Sequence, residues 1–266
     1  MQFHSPVKVG VLLMGSLYWE PTDIRTTWRS SHLRMDRGRR IPLPIRYGRT
    51  SIRRYRTYTM VYSPDLQPKQ WGKGYFVPLR TDPLSTTGEL HEEMREMIRV
   101  ERNISHRDFE KLHDSVQITY DWSWGVLGYM LPGGGTDPET TGQIAHHWEE
   151  NLSQEYSPAK YTAEWDVPAI DVMGQLTIPP PSGLDSYDLV ITVVTRPRVE
   201  TGDRCYPTPD QIARRMYETN CYTYFLQCLR YGITTFQDSE ILTLLKEKYD
   251  VSRYISAYHL EKKFNT

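Results

Sequence analysis

The chain has 266 residues, a net charge of −1 and three cysteines, and no two of these cysteines form a CxxC pair. This length is enough for one large domain or two modest ones with a buried core. The odd number of cysteines argues against a disulfide framework and against a cysteine-rich zinc site, so we expect a cytoplasmic protein. The apolar run 9–17 is too short to cross a bilayer, and the sequence therefore predicts no association with a membrane.

The small net charge hides a strong asymmetry along the chain. Residues 1–80 carry 15 Lys/Arg and 4 Asp/Glu, a local net charge of +11, whereas the remaining residues carry −12. Between Arg25 and Arg56 there are 11 arginines and one acid, Asp36. These arginines pair with the acidic remainder or with the second subunit of a homodimer, line a pocket for a small anionic molecule, or contact nucleic acid. The sequence pI of about 6.7 disfavours nucleic acid.

In chain order, the sequence first predicts a strand over 7–13 that ends in a glycine turn, strands over 57–63 and 74–79, and a helix after a capping box at 86–89. A long strand or hairpin over 116–131, a loop over 132–135 and a surface helix over 138–153 follow. The last predicted elements are a strand over 189–195 and helices over 208–231 and 239–249. Strands dominate the first half and helices the last quarter, which favours an α+β fold. We expect a mixed or antiparallel sheet or a small barrel in the N-terminal half, with flanking helices. The sequence predicts two domains: an α+β part over residues 1–135 and an α+β extension over residues 136–266 that packs on it. A single domain is the alternative.

Glu101 is the strongest single candidate for a chemical role. With the helix after Thr86 drawn at about 100° per residue, Glu101 lies in the middle of an apolar stripe. The stripe consists of Leu90, Met94, Met97, Ile98 and Ile104. A carboxylate on such a face is costly unless it is paired or protonated, and burial raises its pKa toward the range useful in acid/base catalysis. The alternatives are a helix that frays before Glu101 and a structural pair with an arginine.

The turn Met14-Gly15-Ser16-Leu17 follows the first predicted strand and can present backbone N–H groups to an anion. Such a turn is common and is not diagnostic by itself. Together with Trp19, the arginine-rich stretch and the next strand, it resembles the loop of the γ-glutamylcyclotransferase-like family. The resemblance covers residues 7–131 at most. It departs from the family at the first position of the loop, where Met14 stands in place of the usual Tyr.

This resemblance implies an enzyme that acts on a small amide or amine substrate with a carboxylate, by intramolecular aminolysis and without a metal or an organic cofactor. In the family the loop, here Met14–Leu17, holds the substrate and a glutamate, here Glu101, shuttles the proton. We expect at least one of the substrate-binding candidates Arg46, Arg49 and Arg53 at the rim of the pocket. Arg49 and Arg53 are the candidates for neutralising the far carboxylate of the substrate. The alternative is a non-catalytic binding protein whose arginine-rich face holds an anionic ligand, a nucleotide or an acidic partner. A third interpretation places the function in the C-terminal half.

Two further patterns have simpler explanations. His146 and Glu150 are four residues apart, a spacing at which a helix can hold a metal ion. No third ligand is evident in the sequence, and such pairs are common on solvated helix faces, so we expect no metal site. Cys221 and Cys228 are interpreted as small buried residues of a helix.

Overall fold

The structure, a computed structural model, describes residues 1–115, 118–133, 136–200 and 204–257. Its strands are β1 (Gln2–Val7), β2 (Val9–Leu13), β3 (Arg39–Leu43), β4 (Ile45–Ser51), β5 (Thr57–Tyr62), β6 (Gly72–Pro78), β7 (Leu84–Thr86), β8 (Asp121–Trp122), β9 (Gly125–Met130) and β10 (Leu189–Thr195). Its helices are α1 (Ser16–Trp19), α2 (Asp23–His32), α3 (Thr87–Arg102), α4 (His106–Ser115), α5 (Pro138–Asn151), α6 (Pro209–Thr219), α7 (Thr223–Tyr231), α8 (Asp238–Glu247) and α9 (Ser252–Ala257). The fold is α+β, with helices at the C-terminal end, as predicted.

A mixed six-stranded sheet forms the centre of the fold. Its strand order is β3-β6-β2-β10-β9-β8. Neighbouring strands are antiparallel except β2 and β10, which are parallel and pair Val9 with Leu189. Two further antiparallel pairs are β1–β7 and β4–β5. Because β10 lies between β2 and β9, the two halves of the chain contribute to one sheet.

Both faces of the central sheet are buried, which explains why β2 is apolar throughout. Val11 and Leu13 point into one core and Leu12 into the other, as the two-residue period of a strand requires. The first core contains the apolar stripe of α3 and residues of α5. The second contains residues of the β4–β5 hairpin and of α6, α7 and α8.

Helix α3 positions the glutamate that the sequence singles out. Its capping box is confirmed: the Thr86 hydroxyl accepts a hydrogen bond from the Glu89 N–H at 3.0 Å, and the Glu89 carboxylate accepts one from the Thr86 N–H at 2.9 Å. The helix continues through Glu101 to Arg102. It ends at Asn103, which is left-handed with φ of 55°. The alternative of a helix that frays before Glu101 is therefore wrong.

Two predicted elements are interrupted. The run 7–13 is not one strand, because β1 ends at Val7 and β2 begins at Val9, so β2 is the second strand of the chain. The predicted helix 208–231 consists of α6 and α7. Asn220 separates them, since its left-handed conformation with φ of 49° ends α6. A propensity pattern does not reveal such a break, because Asn is tolerated within a helix at modest cost.

Two other predictions change in part. Of the two alternatives for 116–131, a long strand or a hairpin, the structure shows the hairpin, formed by β8 and β9. Residues 116 and 117 of this prediction, and residues 134 and 135 of the predicted loop, lie outside the described residues. The helix α5 is exposed on one face only, because Thr140, Ile144 and Trp148 are buried. Its apolar positions are too few for the sequence pattern to show this face.

Candidate functional site

A cavity of about 810 Å³ opens where the turn after β2 meets the end of α3 and the β4–β5 hairpin. The end of β10 and the residues after it complete the wall. Within the described part of the chain, eight charged residues line it: Arg25, Arg49, Arg53, Arg54, Arg102, Arg198, Glu20 and Glu101. A cavity of this size suits a small molecule.

The structure brings most of the sequence-predicted site residues together. The turn Met14–Leu17, Glu101, Arg49 and Arg53 all line this cavity. They come from four separate elements: the end of β2 with α1, the last turn of α3, strand β4, and the turn between β4 and β5. Arg46 is not among the lining residues.

Gly15 allows the turn to approach Tyr224 of α7. A Cβ atom at residue 15 would lie 2.7 Å from the Tyr224 hydroxyl oxygen, which is shorter than real contacts of a Cβ atom. The backbone at Gly15 is extended, with φ of −176°, so the glycine is required for space and not for a left-handed conformation. This close approach sets the position of the turn at the cavity wall.

We expect Gly15→Ala to destabilise the fold by about 1–3 kcal/mol, because the new methyl group overlaps the buried Tyr224 hydroxyl. Tyr224→Phe alone should cost about 1 kcal/mol, since the Met60 N–H then loses an acceptor 3.4 Å away. In the double variant the overlap is relieved, as the next ring atom is 3.5 Å from the added carbon. Urea denaturation of the four proteins should show that the double change costs less than the two single costs added together. Additive costs would contradict the steric explanation.

The Glu101 carboxylate is mostly enclosed, with its side chain 15 % exposed. Burial raises the pKa of Glu101, Arg25 and Arg54 act in the opposite direction, and the negative charge of Glu20 adds to the rise. The closest ion pair is with Arg25, at 3.8 Å between Nη2 and Oε2, which is longer than a hydrogen bond. Glu101 thus has a cationic neighbour without the short contact that would hold it ionised, so the protonated form is easier to reach than for an exposed glutamate.

Arg25 connects the turn to the two glutamates. Its side chain is only 6 % exposed. Nη1 donates a hydrogen bond to the Ser16 Oγ at 2.8 Å and another to the Glu20 carboxylate, while Nη2 lies beside Glu101. One guanidinium group therefore contacts both Ser16 and Glu101, which places them within the length of one small molecule.

Neither Arg25 nor Glu20 was singled out from the sequence. The signal for Arg25 lies in α2, where the Thr22 side chain caps the helix and Trp28 follows three residues after Arg25 on the same buried face. Among 11 arginines in one segment, that spacing marks the one that faces inward.

Glu20 shares two arginines with Glu101 and partly neutralises their charge. Besides its contact with Arg25, its carboxylate is 3.4 Å from the Arg54 guanidinium. Arg54 in turn lies over the Tyr224 ring at 5.0 Å, which fixes its direction. A second carboxylate in the cavity thus takes up cationic charge that would otherwise lower the pKa of Glu101.

The two predicted arginines that reach the cavity differ in their surroundings. Arg49 is half-buried, donates from Nη1 to the Arg196 carbonyl at 2.7 Å and lies over the Trp124 ring at 5.3 Å. Arg53 is exposed on the hairpin turn. Arg49 is therefore held in one orientation, whereas Arg53 belongs to the rim.

Arg46 has a different environment from the one expected. Its guanidinium lies over the rings of Tyr206 at 4.4 Å and Phe236 at 5.5 Å. Burial lowers its pKa, and the nearby Tyr206 and Asp166 act against this. Both rings belong to the C-terminal part of the chain, which the arginine pattern around Arg46 cannot show. Arg46 is thus an arginine packed between aromatic side chains and not a lining residue.

The lining carries an excess of positive charge, with six arginines and two glutamates. Glu20 contacts two of these arginines and Glu101 contacts one. Within the ranges that the structure describes, no ion pair with a carboxylate involves Arg49, Arg53 or Arg102. Guanidinium groups without carboxylate partners in one cavity attract an anion and match the geometry of its oxygens.

The C-terminal half of the chain also contributes to the cavity. Thr192 and Thr195 of β10, Arg198 after it and Tyr224 of α7 are lining residues. The sequence offered no signal for them, because they reach the cavity only through the pairing of β10 with β2 and the packing of α7 on α1.

His146 and Glu150 form an exposed pair on α5, 3.1 Å apart, with both side chains more than 60 % exposed. In the part of the chain that the structure describes, no group of three or more His, Cys, Asp or Glu side chains is placed to hold a metal ion. The same residues contain no helix that combines the length and the apolar character needed to span a membrane.

Comparison with protein-family models gave no match, and comparisons with curated proteins and with solved structures gave no significant match. The resemblance to the γ-glutamylcyclotransferase-like family therefore stays a prediction from the sequence. A proposal for the function is therefore based on the geometry of the cavity.

Proposed function

We propose that this protein is an enzyme that converts a small carboxylate-bearing amide by intramolecular aminolysis, with Glu101 as the general acid/base. The observation that carries the proposal is the position of Glu101. A carboxylate with a raised pKa shares one cavity with the turn Met14–Leu17 and with arginines that have no carboxylate partner among the described residues. A protein that only binds anions gains nothing from such a carboxylate, because its negative charge repels the ligand.

The turn and the arginines would hold opposite ends of the substrate. Ser16 and Leu17 begin α1, and the first N–H groups of a helix have no partner within the helix, so they can bind substrate oxygens. The Ser16 hydroxyl is fixed by Arg25 and defines the position of this end. Arg49 and Arg53 would neutralise the far carboxylate. Holding both ends places the substrate amine beside its own amide, which is the main requirement of an intramolecular reaction.

In the reaction the neutral amine nitrogen attacks the amide carbonyl carbon and a new C–N bond forms. The Glu101 carboxylate accepts the proton that this nitrogen loses. As the original C–N bond breaks, Glu101 returns the proton to the leaving nitrogen and regains its starting state. The products are a cyclic amide and a free amine, with no net consumption of water and no change of oxidation state. General acid/base catalysis of this kind contributes about 10²–10⁴-fold.

The test is a product analysis by mass spectrometry of the full chain incubated with γ-glutamyl amides and other carboxylate-bearing amides. We expect at least one compound to give a cyclic amide and a free amine in equal amounts. The matched control compound has its amine acetylated and should be inert, because its nitrogen lone pair is no longer available. Release of an open-chain acid in place of the cyclic amide would show hydrolysis and would contradict aminolysis.

A second candidate is a binding protein for a small anion, favoured by the excess of arginines in the cavity. The two functions differ in what they require of Glu101. For a binding protein, Glu101→Gln should strengthen the binding of an anion and no compound should be converted. For the enzyme, the same change should remove conversion.

A further inference from the structure

Arg49 and Arg198 are held side by side at the part of the cavity formed by β4 and the segment after β10. The two residues form a parallel β-bridge. The Thr50 N–H donates to the Arg198 carbonyl and the Arg198 N–H donates to the Gly48 carbonyl, each at 2.9 Å. The backbone therefore fixes both guanidinium-bearing residues on the cavity wall, where both are lining residues.

The Arg49 guanidinium is oriented before any ligand arrives. One of its Nη1 hydrogens is used by the Arg196 carbonyl, and its plane lies near the Trp124 ring. The remaining donors keep the fork geometry that pairs with two oxygens of one anion. A cation held in this way loses little side-chain entropy on binding.

The two arginines are poorly neutralised by the protein. The pKa of Arg49 is lowered, first by burial and next by the positive charge of Arg198. Among the described residues, the carboxylate nearest to Arg198 is that of Glu200, at 4.0 Å. Its oxygens are engaged more closely elsewhere, with the Arg215 guanidinium at 2.9 Å and the Thr50 hydroxyl at 3.2 Å.

An independent observation concerns Thr195, the last residue of β10. Its hydroxyl is buried and has no hydrogen-bond partner among the described residues, yet Thr195 lines the same cavity. A buried hydroxyl without a partner is costly, so rotation of the Thr195 side chain toward the cavity, where a ligand oxygen would accept its hydrogen bond, would be favourable. Thr195 lies next to Arg196, whose carbonyl holds Arg49, so the hydroxyl belongs to the surroundings of the arginine pair.

We propose that Arg49, Arg198 and Thr195 form a subsite for a doubly charged oxyanion, either a phosphate group or a pair of carboxylates. The subsite deepens the proposed function, on which it rests for the role of the cavity as the substrate site, and it defines the substrate as one with a dianionic far end. Of these two cations, Arg49 has no carboxylate partner among the described residues and Arg198 shares Glu200 with Arg215, so the pair matches two negative charges better than one. Binding at this subsite requires no turnover.

The test follows the indole N–H resonance of Trp124 by ¹H–¹⁵N NMR, assigned with Trp124→Phe, because this ring lies against Arg49. The probes are inorganic phosphate, malonate and acetate at constant ionic strength. We expect phosphate or malonate to shift the resonance with a dissociation constant of about 1 mM, a weak affinity typical of small anions. Acetate should bind about tenfold more weakly. The comparison of phosphate with malonate shows which dianion the substrate carries.

The variants separate this proposal from the proposed reaction. Arg49→Met and Arg198→Gln should each weaken binding about tenfold, and Arg107→Ala, an exposed arginine of α4, should not change it. Glu101→Gln should retain or strengthen binding, since it removes a negative charge from the cavity. The subsite would be overturned if no dianion bound, or if either Arg49→Met or Arg198→Gln left the dissociation constant unchanged. Dianion binding by the parent chain that is weakened in both arginine variants would support the subsite, even if no amide is ever converted.

Discussion

Glu101→Gln is expected to lower the turnover of an amide substrate by about 10²–10⁴-fold and to leave substrate affinity nearly unchanged or slightly improved. Glutamine has almost the same shape as glutamate but cannot accept the proton from the attacking nitrogen. The loss should therefore appear in kcat, because the proton transfer occurs in the transition state and not in the bound substrate. Steady-state kinetics together with a direct binding measurement separate the two parameters.

The matched control for this change is Glu92→Gln, an exposed glutamate on the same helix that does not line the cavity. It should keep full turnover. If Glu101→Gln retained more than about a tenth of the turnover, the proton would have to travel by another route and Glu101 would not be the general acid/base.

The same variant should be more stable than the parent chain at neutral pH. Because the pKa of Glu101 is raised in the folded state, the folded chain binds more protons than the unfolded one above the ordinary pKa of a glutamate. The contribution of Glu101 to stability is thus fully present below that value and is lost as pH rises through the folded pKa. Glutamine carries no such penalty, so the advantage of the variant should be larger at pH 8 than at pH 4. Such a gain in stability agrees with the proposed acid/base role, because residues that serve activity often lower the stability of the fold.

Arg25→Met is expected to lower the free energy of unfolding by about 3 kcal/mol. The change leaves the Glu20 and Glu101 carboxylates without the buried cation that they share, and removing one partner of a buried ion pair typically costs about 3–5 kcal/mol. The lower end of that range applies because Glu20 is about a third exposed. Urea denaturation at neutral pH provides the measurement.

The control for this prediction is the double variant Glu20→Gln with Arg25→Met. Without the Glu20 charge, less of the penalty for an unpaired carboxylate remains, so the double variant should be more stable than the sum of the two single changes predicts. The difference should reach about 1 kcal/mol, as expected for residues in direct contact. If the cost of the double variant equalled the sum of the two single costs, Arg25 would stabilise the fold through packing and not through its charge.

Local patterns explain why part of the site could be predicted from the sequence. The capping box at Thr86 and the apolar stripe of α3 place Glu101 on a buried helix face without knowledge of any other element. The glycine turn after β2 is likewise marked by its own residues. Both features depend on neighbours within a few turns of chain, for which periodicity is a reliable guide.

The rest of the site depends on contacts between distant segments. Arg198 lies beside Arg49 only because β10 pairs with β2, and Tyr224 reaches Gly15 only because α7 packs on α1. The same dependence explains why Arg46 is not a lining residue, since its guanidinium lies against the rings of Tyr206 and Phe236. An arginine-rich segment shows that anion-binding groups are present, but long-range packing decides which of them face a cavity.

The most direct test of Glu101 as the general acid/base is the pKa of its carboxyl group, followed by ¹³C NMR in the parent chain and in Arg25→Met. Glu101→Gln identifies the resonance, because its carboxyl signal is then missing. We expect a pKa above the ordinary value of about 4.3 in the parent chain and a higher one in Arg25→Met, where the cation that opposes the rise is gone. A value at or below about 4.3 in the parent chain would mean that Glu101 is held ionised, and the acid/base role would be contradicted.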